Sequence, residues 1–222
     1  MSSRDEWFRS PAWTSEDQQA FEAKLAGARP HGRAQYLRIK GLALREAGLG
    51  DAAAVLWQRV CADYPGSLHE TSALEHLGDL AREQGRHEDA VAYYERPLDG
   101  RSLNGTTWAV HVSLAELLVQ MGRFEEATEA LLRRPIQELT LHHSLFRWHA
   151  CAAEAALGLG DRSEAVNAAA RASDLLSAPD QFSRHPGVGR AVGSVEQQER
   201  LRSIRDGRNV EPLGVGAGQS RS

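Results

Sequence analysis

The side chains that could do chemistry in this 222-residue sequence are nine histidines, two cysteines and 30 carboxylates. Their spacing decides what each can do. His142 and His143 are adjacent, so a helix would aim them at different faces, and neither is followed by Asp or Glu at i+3 or i+4. No HExxH motif is present. His76, His111 and His149 recur about one helical hairpin apart and form the one set that could line up as a metal or acid–base site. Helix packing is the commoner role for histidines so placed. Cys61 and Cys151 stand far apart without a CxxC motif, which argues against a disulfide framework or a zinc site. Within amphipathic stretches each reads as a small buried thiol. There is no GxSxG elbow. Gly187-Val-Gly-Arg-Ala-Val-Gly193 has the wrong final spacing for a dinucleotide loop and follows prolines rather than a strand. Asn104-Gly-Thr106 is a formal glycosylation triplet and no more. The sequence therefore reads as a non-enzyme with no catalytic residue, no metal site and no cofactor.

The elements that carry these residues are helical. Hydrophobic residues make up 41%, much of it Ala, while aromatics are only 6%. Small side chains let helices approach closely. The net charge of −4 gives no reason to expect nucleic acid or an anionic membrane as partner. Residues 181–222 carry seven arginines and four acids, a net +3, which leaves −7 for residues 1–180. No run of 18 apolar residues occurs and the first nine residues lack a signal-peptide core, so a cytoplasmic location is expected.

One pattern recurs four times: an Ala-rich stretch, a Gly, then a second stretch with Ala near its start. The four are Gly41–Gly48 with Asp51–Trp57, Gly78–Gly85 with Glu88–Tyr94, Ala115–Gly122 with Glu125–Leu131, and Ala153–Gly160 with Ser163–Ala169. The turn glycines Gly48, Gly85, Gly122 and Gly160 are spaced by 37, 37 and 38 residues. Gly can take the left-handed conformation that ends a helix. Asp51, Glu88, Glu125 and Ser163 then suit the start of the next.

This pattern resembles the tetratricopeptide repeat, a pair of antiparallel helices. The family's small residue seven before the turn is matched by Gly41, Gly78, Ala115 and Ala153, and its small residue five after it by Ala53, Ala90, Ala127 and Ala165. Trp57, Tyr94 and Leu131, but not Ala169, match the large residue that packs between repeats. Pro97 and Pro135 depart from the pattern and should kink or end their second helices. The resemblance implies an all-α, right-handed solenoid of about four hairpins with helical caps at both ends.

The implied organisation is an N-terminal aromatic segment and capping helix over 1–33, repeats at about 34–67, 71–104, 108–141 and 146–179, and a linker, short helix and disordered basic tail over 180–222. Thr14-Ser-Glu-Asp17 should open the N-terminal cap, and Ser194 with Gln197 the C-terminal helix. Trp7, Phe8 and Trp13 either seal the first hairpin or serve as a docking segment for a partner or a second copy.

In such stacks the first helix of each hairpin lines a concave groove that binds a protein segment. Carried over by register, the groove residues are Arg38, Leu42 and Arg45, then Glu75, Asp79 and Arg82, then Val112 and Glu116, then Arg147 and Glu154. Arg38 matches one basic position of the family's chaperone-tail binders, but Leu42 stands where they use Asn, so that role is not expected. Glu75, Asp79, Glu116 and Glu154 suit a segment with Lys or Arg among apolar anchors, unless they form a solvated face or pair with Arg82 and Arg147. The basic segment around Arg200, Arg202 and Arg205 could itself enter the groove, and deleting 181–222 would then raise partner affinity. The expected function is a protein-interaction scaffold or adaptor, able to restrain a partner enzyme or toxin. The alternative is a homodimer built on the aromatic N-terminus.

Overall fold

The computed structural model describes residues 6–100 and 103–214. Among them are ten α-helices, two single 3₁₀ turns and no strand, which is the all-helical class expected. The chain divides into two compact units, Met1–Thr107 and Trp108–Ser222. The division falls between the second and third repeats, and each unit holds two helical hairpins.

Unit 1 contains a 3₁₀ turn at Trp7–Arg9, then α1 (Ser15–Gly27), α2 (Pro30–Glu46), α3 (Gly50–Asp63), α4 (Leu68–Glu83) and α5 (His87–Leu98). Thr14 caps α1 in a reciprocal box: its hydroxyl accepts from the Asp17 N–H at 3.3 Å, and the Asp17 carboxylate accepts from the Thr14 N–H at 2.9 Å. Hairpins α2–α3 and α4–α5 pack internally, and α4 also packs on α2 and α3. Both small-residue positions do what the pattern implies. A β-carbon on Gly41 would lie 2.4 Å from Trp57 Nε1, and one on Gly78 would lie 2.5 Å from Tyr94 Cε1. Trp57 and Tyr94 are fully buried there.

Unit 2 contains α6 (Val110–Gln120), α7 (Phe124–Leu132), a 3₁₀ turn at Ile136–Glu138, α8 (His142–Gly158), α9 (Arg162–Leu176) and α10 (Val195–Arg205). Its core joins Phe146 and a set of alanines (Ala153, Ala165, Ala168, Ala169, Ala172) to Leu201 and Ile204 of α10. Hence α10 is a capping helix that completes the core, opened by Ser194, whose hydroxyl accepts from the Gln197 N–H at 3.1 Å.

The four hairpin turns are one motif. Gly48, Gly85, Gly122 and Gly160 have φ of 79°, 72°, 74° and 78°. In each, the following N–H reaches back five residues: Leu49 to Leu44 O, Arg86 to Ala81 O, Arg123 to Leu118 O and Asp161 to Ala156 O, at 2.8–2.9 Å. This is a Schellman ending, which satisfies carbonyls that the helix leaves open. The prolines shorten two second helices. α5 stops one residue after Pro97, and α7 stops before Pro135.

The tail differs from expectation. Residues 208–214 are laid against unit 2, with Arg162 Nη2 donating to Asn209 Oδ1 at 2.9 Å, Val210 packed on the core and Arg200 Nη2 donating to Glu211 O at 2.7 Å. These anchors are one side-chain amide oxygen, one backbone oxygen and one isolated Val, which composition does not register. The rest of the tail expected to be disordered, residues 215–222, lies outside the described residues.

Candidate functional site

In unit 1 the first helices α2 and α4 lie side by side. Arg38, Leu42 and Arg45 follow at i, i+4 and i+7, and His69, Ser72, His76, Asp79 and Glu83 at i, i+3, i+7, i+10 and i+14, so each set shares one helix face. The sets meet in pairs. Arg45 lies 3.6 Å from Asp79 Oδ2 and bonds Glu83 Oε1. Asp79 accepts from the buried Tyr94 hydroxyl at 2.8 Å, which ties this polar face to the core beneath it. Trp57 braces the other end. Its indole donates to Arg38 O at 3.2 Å, and its ring lies 5.1 Å from the His76 imidazole. Ser72 Oγ and His76 Nε2 are 3.3 Å apart.

Around Arg38 the electrostatics differ from those around Arg45. Burial holds the Arg38 guanidinium below its usual range. Burial, then the charges of Arg38 and Arg45, pull His76 down to about 4, and burial followed by Arg38 lowers His69. Both imidazoles are therefore predominantly neutral at pH 7.

In unit 2 the corresponding helices are joined by fork-shaped ion pairs. Arg147 of α8 bonds Glu116 of α6 through Nε at 2.8 Å and Nη2 at 2.7 Å, and Nη2 also donates to Ser113 Oγ at 2.9 Å. Arg200 of α10 holds Glu154 of α8 in the same way, at 2.5 and 2.7 Å. Such bidentate pairs fix geometry as well as charge.

A tetratricopeptide repeat model matches residues 73–103, covering most of α4 and all of α5. The chain is a tetratricopeptide-like helical-repeat protein. No curated protein matches it. The matched stretch includes Gly85, whose turn geometry recurs in the other three hairpins, and Gly78 with Tyr94, whose packing recurs at Gly41 and Trp57.

The residues carried over as groove-lining divide into two groups. Arg38, Leu42, Arg45, Asp79, Arg82, Glu116 and Arg147 are partly exposed. Glu75, Val112 and Glu154 are buried instead. Glu75, 3% exposed, accepts from the Thr107 N–H at 3.0 Å and from its hydroxyl, so it holds down the loop that closes unit 1. Glu154 is covered by Arg200. Register alone places these acids on the first helices, but it does not reveal what the chain lays over them. Glu116 pairs with Arg147, the alternative raised from the sequence.

Trp7, Phe8 and Trp13 pack against the core of unit 1. Trp7 lies 5.1 Å from Phe21 and 5.2 Å from Tyr36, and Trp13 lies 5.6 Å from Phe21. Lys40, which sequence reading missed, fastens this segment. It is buried, its Nζ donates to Ser10 O at 2.6 Å and Ala12 O at 3.0 Å, and it sits 4.9 Å from the Trp13 ring. No local signal marks Lys40, because its partners lie about 30 residues away. His69 was also missed, although its spacing to Ser72 and His76 was visible.

His76 lies in unit 1, while His111 and His149 lie in unit 2. His111 is 1% exposed, and neither of its ring nitrogens has a hydrogen-bond partner among the described residues. Burial, then Arg134, lowers it to about 4. Among the described residues no three His, Cys, Asp or Glu side chains are grouped to hold a metal ion, and no helix is long and apolar enough to cross a membrane.

Proposed function

We propose that this tetratricopeptide-like protein is a non-catalytic scaffold that docks a segment of a partner protein on the first-helix faces of its hairpins, foremost on the α2–α4 face of unit 1. The observation that carries this reading is the contrast between the faces. In unit 2 the chain's own α10 and residues 208–214 lie over part of the α8 face, through Arg200, Glu154 and Glu211. In unit 1 Arg38, Leu42, Arg45, Asp79 and Arg82 keep part of their surface open and rest on Trp57 and Tyr94, which hold the face in shape. A pre-shaped face loses little ordering entropy when it binds.

Two parts of the sequence-based expectation lose support. A basic segment was favoured by Glu75, Asp79, Glu116 and Glu154, but each of these acids already has a partner within the chain. Homodimerisation through Trp7, Phe8 and Trp13 would use rings that are already partly buried against the core of unit 1. The docking reading is tested by affinity capture from host lysate with wild type and a Leu42→Gln, Arg82→Glu double variant, its fold verified by circular dichroism. A protein recovered with wild type and lost with the folded variant is the expected result. Equal recovery from both would move the site off this face.

A further inference from the structure

The segment between α9 and α10, residues 181–195, is irregular yet fastened at several points. Gln181 Oε1 accepts from the His142 N–H at 2.7 Å, and Gln181 Nε2 donates to Thr140 O at 2.8 Å. Asp180 Oδ1 accepts from the Gly187 N–H at 3.2 Å, and Gly189 O accepts from the His143 N–H at 2.7 Å. Gly189, at a φ of 71°, lies so close to the start of α8 that a β-carbon there would be 2.9 Å from Leu141 Cδ2. Ala191 is buried in the unit 2 core, and Gln198 Nε2 donates to Gly193 O at 2.8 Å. The backbone of this loop is thus held by polar anchors and one small apolar residue. Its large side chains run the other way. Phe182, Val188, Val192 and Val195 are exposed, from 42% for Phe182 to 73% for Val195, the densest group of exposed large apolar side chains among the described residues. Showing four of them to water gains nothing for the fold, and such a group marks a contact surface.

The charges in the same segment define its complement. Residues 181–195 contain Arg184 and Arg190 and no acid. Both arginines are exposed, and neither guanidinium has a hydrogen bond or ion pair among the described residues. The preceding acid, Asp180, is held by the Gly187 N–H. Apolar side chains interleaved with unpaired arginines complement a surface on which apolar side chains alternate with Asp or Glu. We infer that residues 181–195 form a second docking surface, separate from the α2–α4 face, which takes an acidic, apolar segment of a partner protein. An anionic bilayer offers similar chemistry locally, but residues 1–180 carry −7, and an extended charged plane meets much more of the chain than the loop. A short segment meets chiefly the loop. Because the loop is already fastened, little ordering entropy opposes the contact.

The test uses the full chain on an array of random peptides, with the bound peptides re-measured in solution by fluorescence anisotropy. Peptides that combine Asp or Glu with apolar residues should dominate. Phe182→Ser with Val192→Ser should weaken their binding by roughly tenfold or more through lost apolar burial. Arg184→Glu with Arg190→Glu should do so by roughly tenfold through reversed charge, and raised salt should weaken the wild-type contact in the same direction. All four side chains are exposed, so both variants should keep the wild-type circular dichroism and melting temperature. Val55→Ser, an equally exposed apolar position on α3, should leave binding in place. Bound peptides that are basic or uncharged, or acidic peptides held equally by wild type and both loop variants, overturn the inference. Loop-dependent binding to phosphatidylserine vesicles in place of peptides would assign the surface to a bilayer. A concentration-dependent dimer in sedimentation, abolished by both loop variants, would assign it to a second copy, and either result overturns the inference as well. Peptides lost with the loop variants support this surface whatever becomes of the α2–α4 face. Peptides lost only with the Leu42→Gln, Arg82→Glu variant would leave the first docking reading intact and remove this one.

Discussion

Glu75 offers the clearest test of whether the acids on the first helices serve the fold or a ligand. Its carboxylate is 3% exposed and accepts from the Thr107 N–H, at 3.0 Å to one oxygen and 3.3 Å to the other, and from the Thr107 hydroxyl. Glu75→Ala removes the charge-assisted bonds from the Thr107 N–H and hydroxyl, each worth about 1.5–3 kcal/mol. Relief of the buried charge returns part of that. The net expectation is a loss of roughly 2–4 kcal/mol. Glu75→Gln keeps one acceptor oxygen and should lose about half as much. Urea unfolding gives the free energies, and hydrogen exchange at the Thr107 amide gives the local readout. That amide should be protected in wild type and exchange far faster in Glu75→Ala. An alanine variant within about 0.5 kcal/mol of wild type, a change typical of an exposed surface site, with Thr107 exchange unchanged, would refute the assignment. It would return Glu75 to the set of acids available to a partner.

Two further outcomes follow from packing and protonation. Gly78→Ala gains about 1 kcal/mol of helix propensity but drives a β-carbon to 2.5 Å from a Tyr94 ring pinned by its 2.8 Å bond to Asp79. Overpacking costs about 1–3 kcal/mol, so thermal melting should show a net loss, whereas Gly27→Ala, whose β-carbon meets nothing within 4 Å, should not. Acid is the second lever. His76 and His111 titrate near 4 when folded and near 6.5 when unfolded. Below 6.5 the unfolded chain binds more protons, so stability is full above that pH and falls as pH drops towards 4. At pH 5 each histidine should cost about 2 kcal/mol, read as a lower urea midpoint than at pH 7.5. His111→Gln should shrink the difference, and a midpoint independent of pH would contradict the burial assigned to these rings.

What could be read from the sequence was local. The turn glycines and the Thr14 and Ser194 caps each depend on residues within one helical turn, where spacing fixes who meets whom, whereas Trp57 and Tyr94, expected to pack between repeats, also meet Gly41 and Gly78 within their own hairpins. Pro97 and Pro135 also acted as their chemistry requires. What stayed hidden depends on long-range partners. Lys40 meets carbonyls about 30 residues earlier in the chain, Glu75 meets Thr107, and Arg200 meets Glu154. A groove carried over by register names the right helices but cannot say which of their acids the chain has already covered.

The distribution of those covered acids changes the electrostatic argument about partners. A net charge of −7 over residues 1–180 suggests a basic ligand if every charge is counted alike. A paired carboxylate, however, presents a ligand with a dipole whose far field largely cancels, while an unpaired half-buried cation acts at full strength in a medium that screens poorly. Glu116 and Glu154 are each bridged by two hydrogen bonds from one Arg, and Arg45 lies against two acids, so these groups are largely neutralised. Arg38 is not neutralised in this way, and its charge helps keep the His69 and His76 imidazoles neutral. The local sign at the α2–α4 face is therefore positive although the body around it is acidic. A partner chosen by contact rather than by long-range steering should be acidic at that point. An acidic body also slows the approach of an acidic segment, so raising the ionic strength should increase its association rate even as it weakens the bound pair.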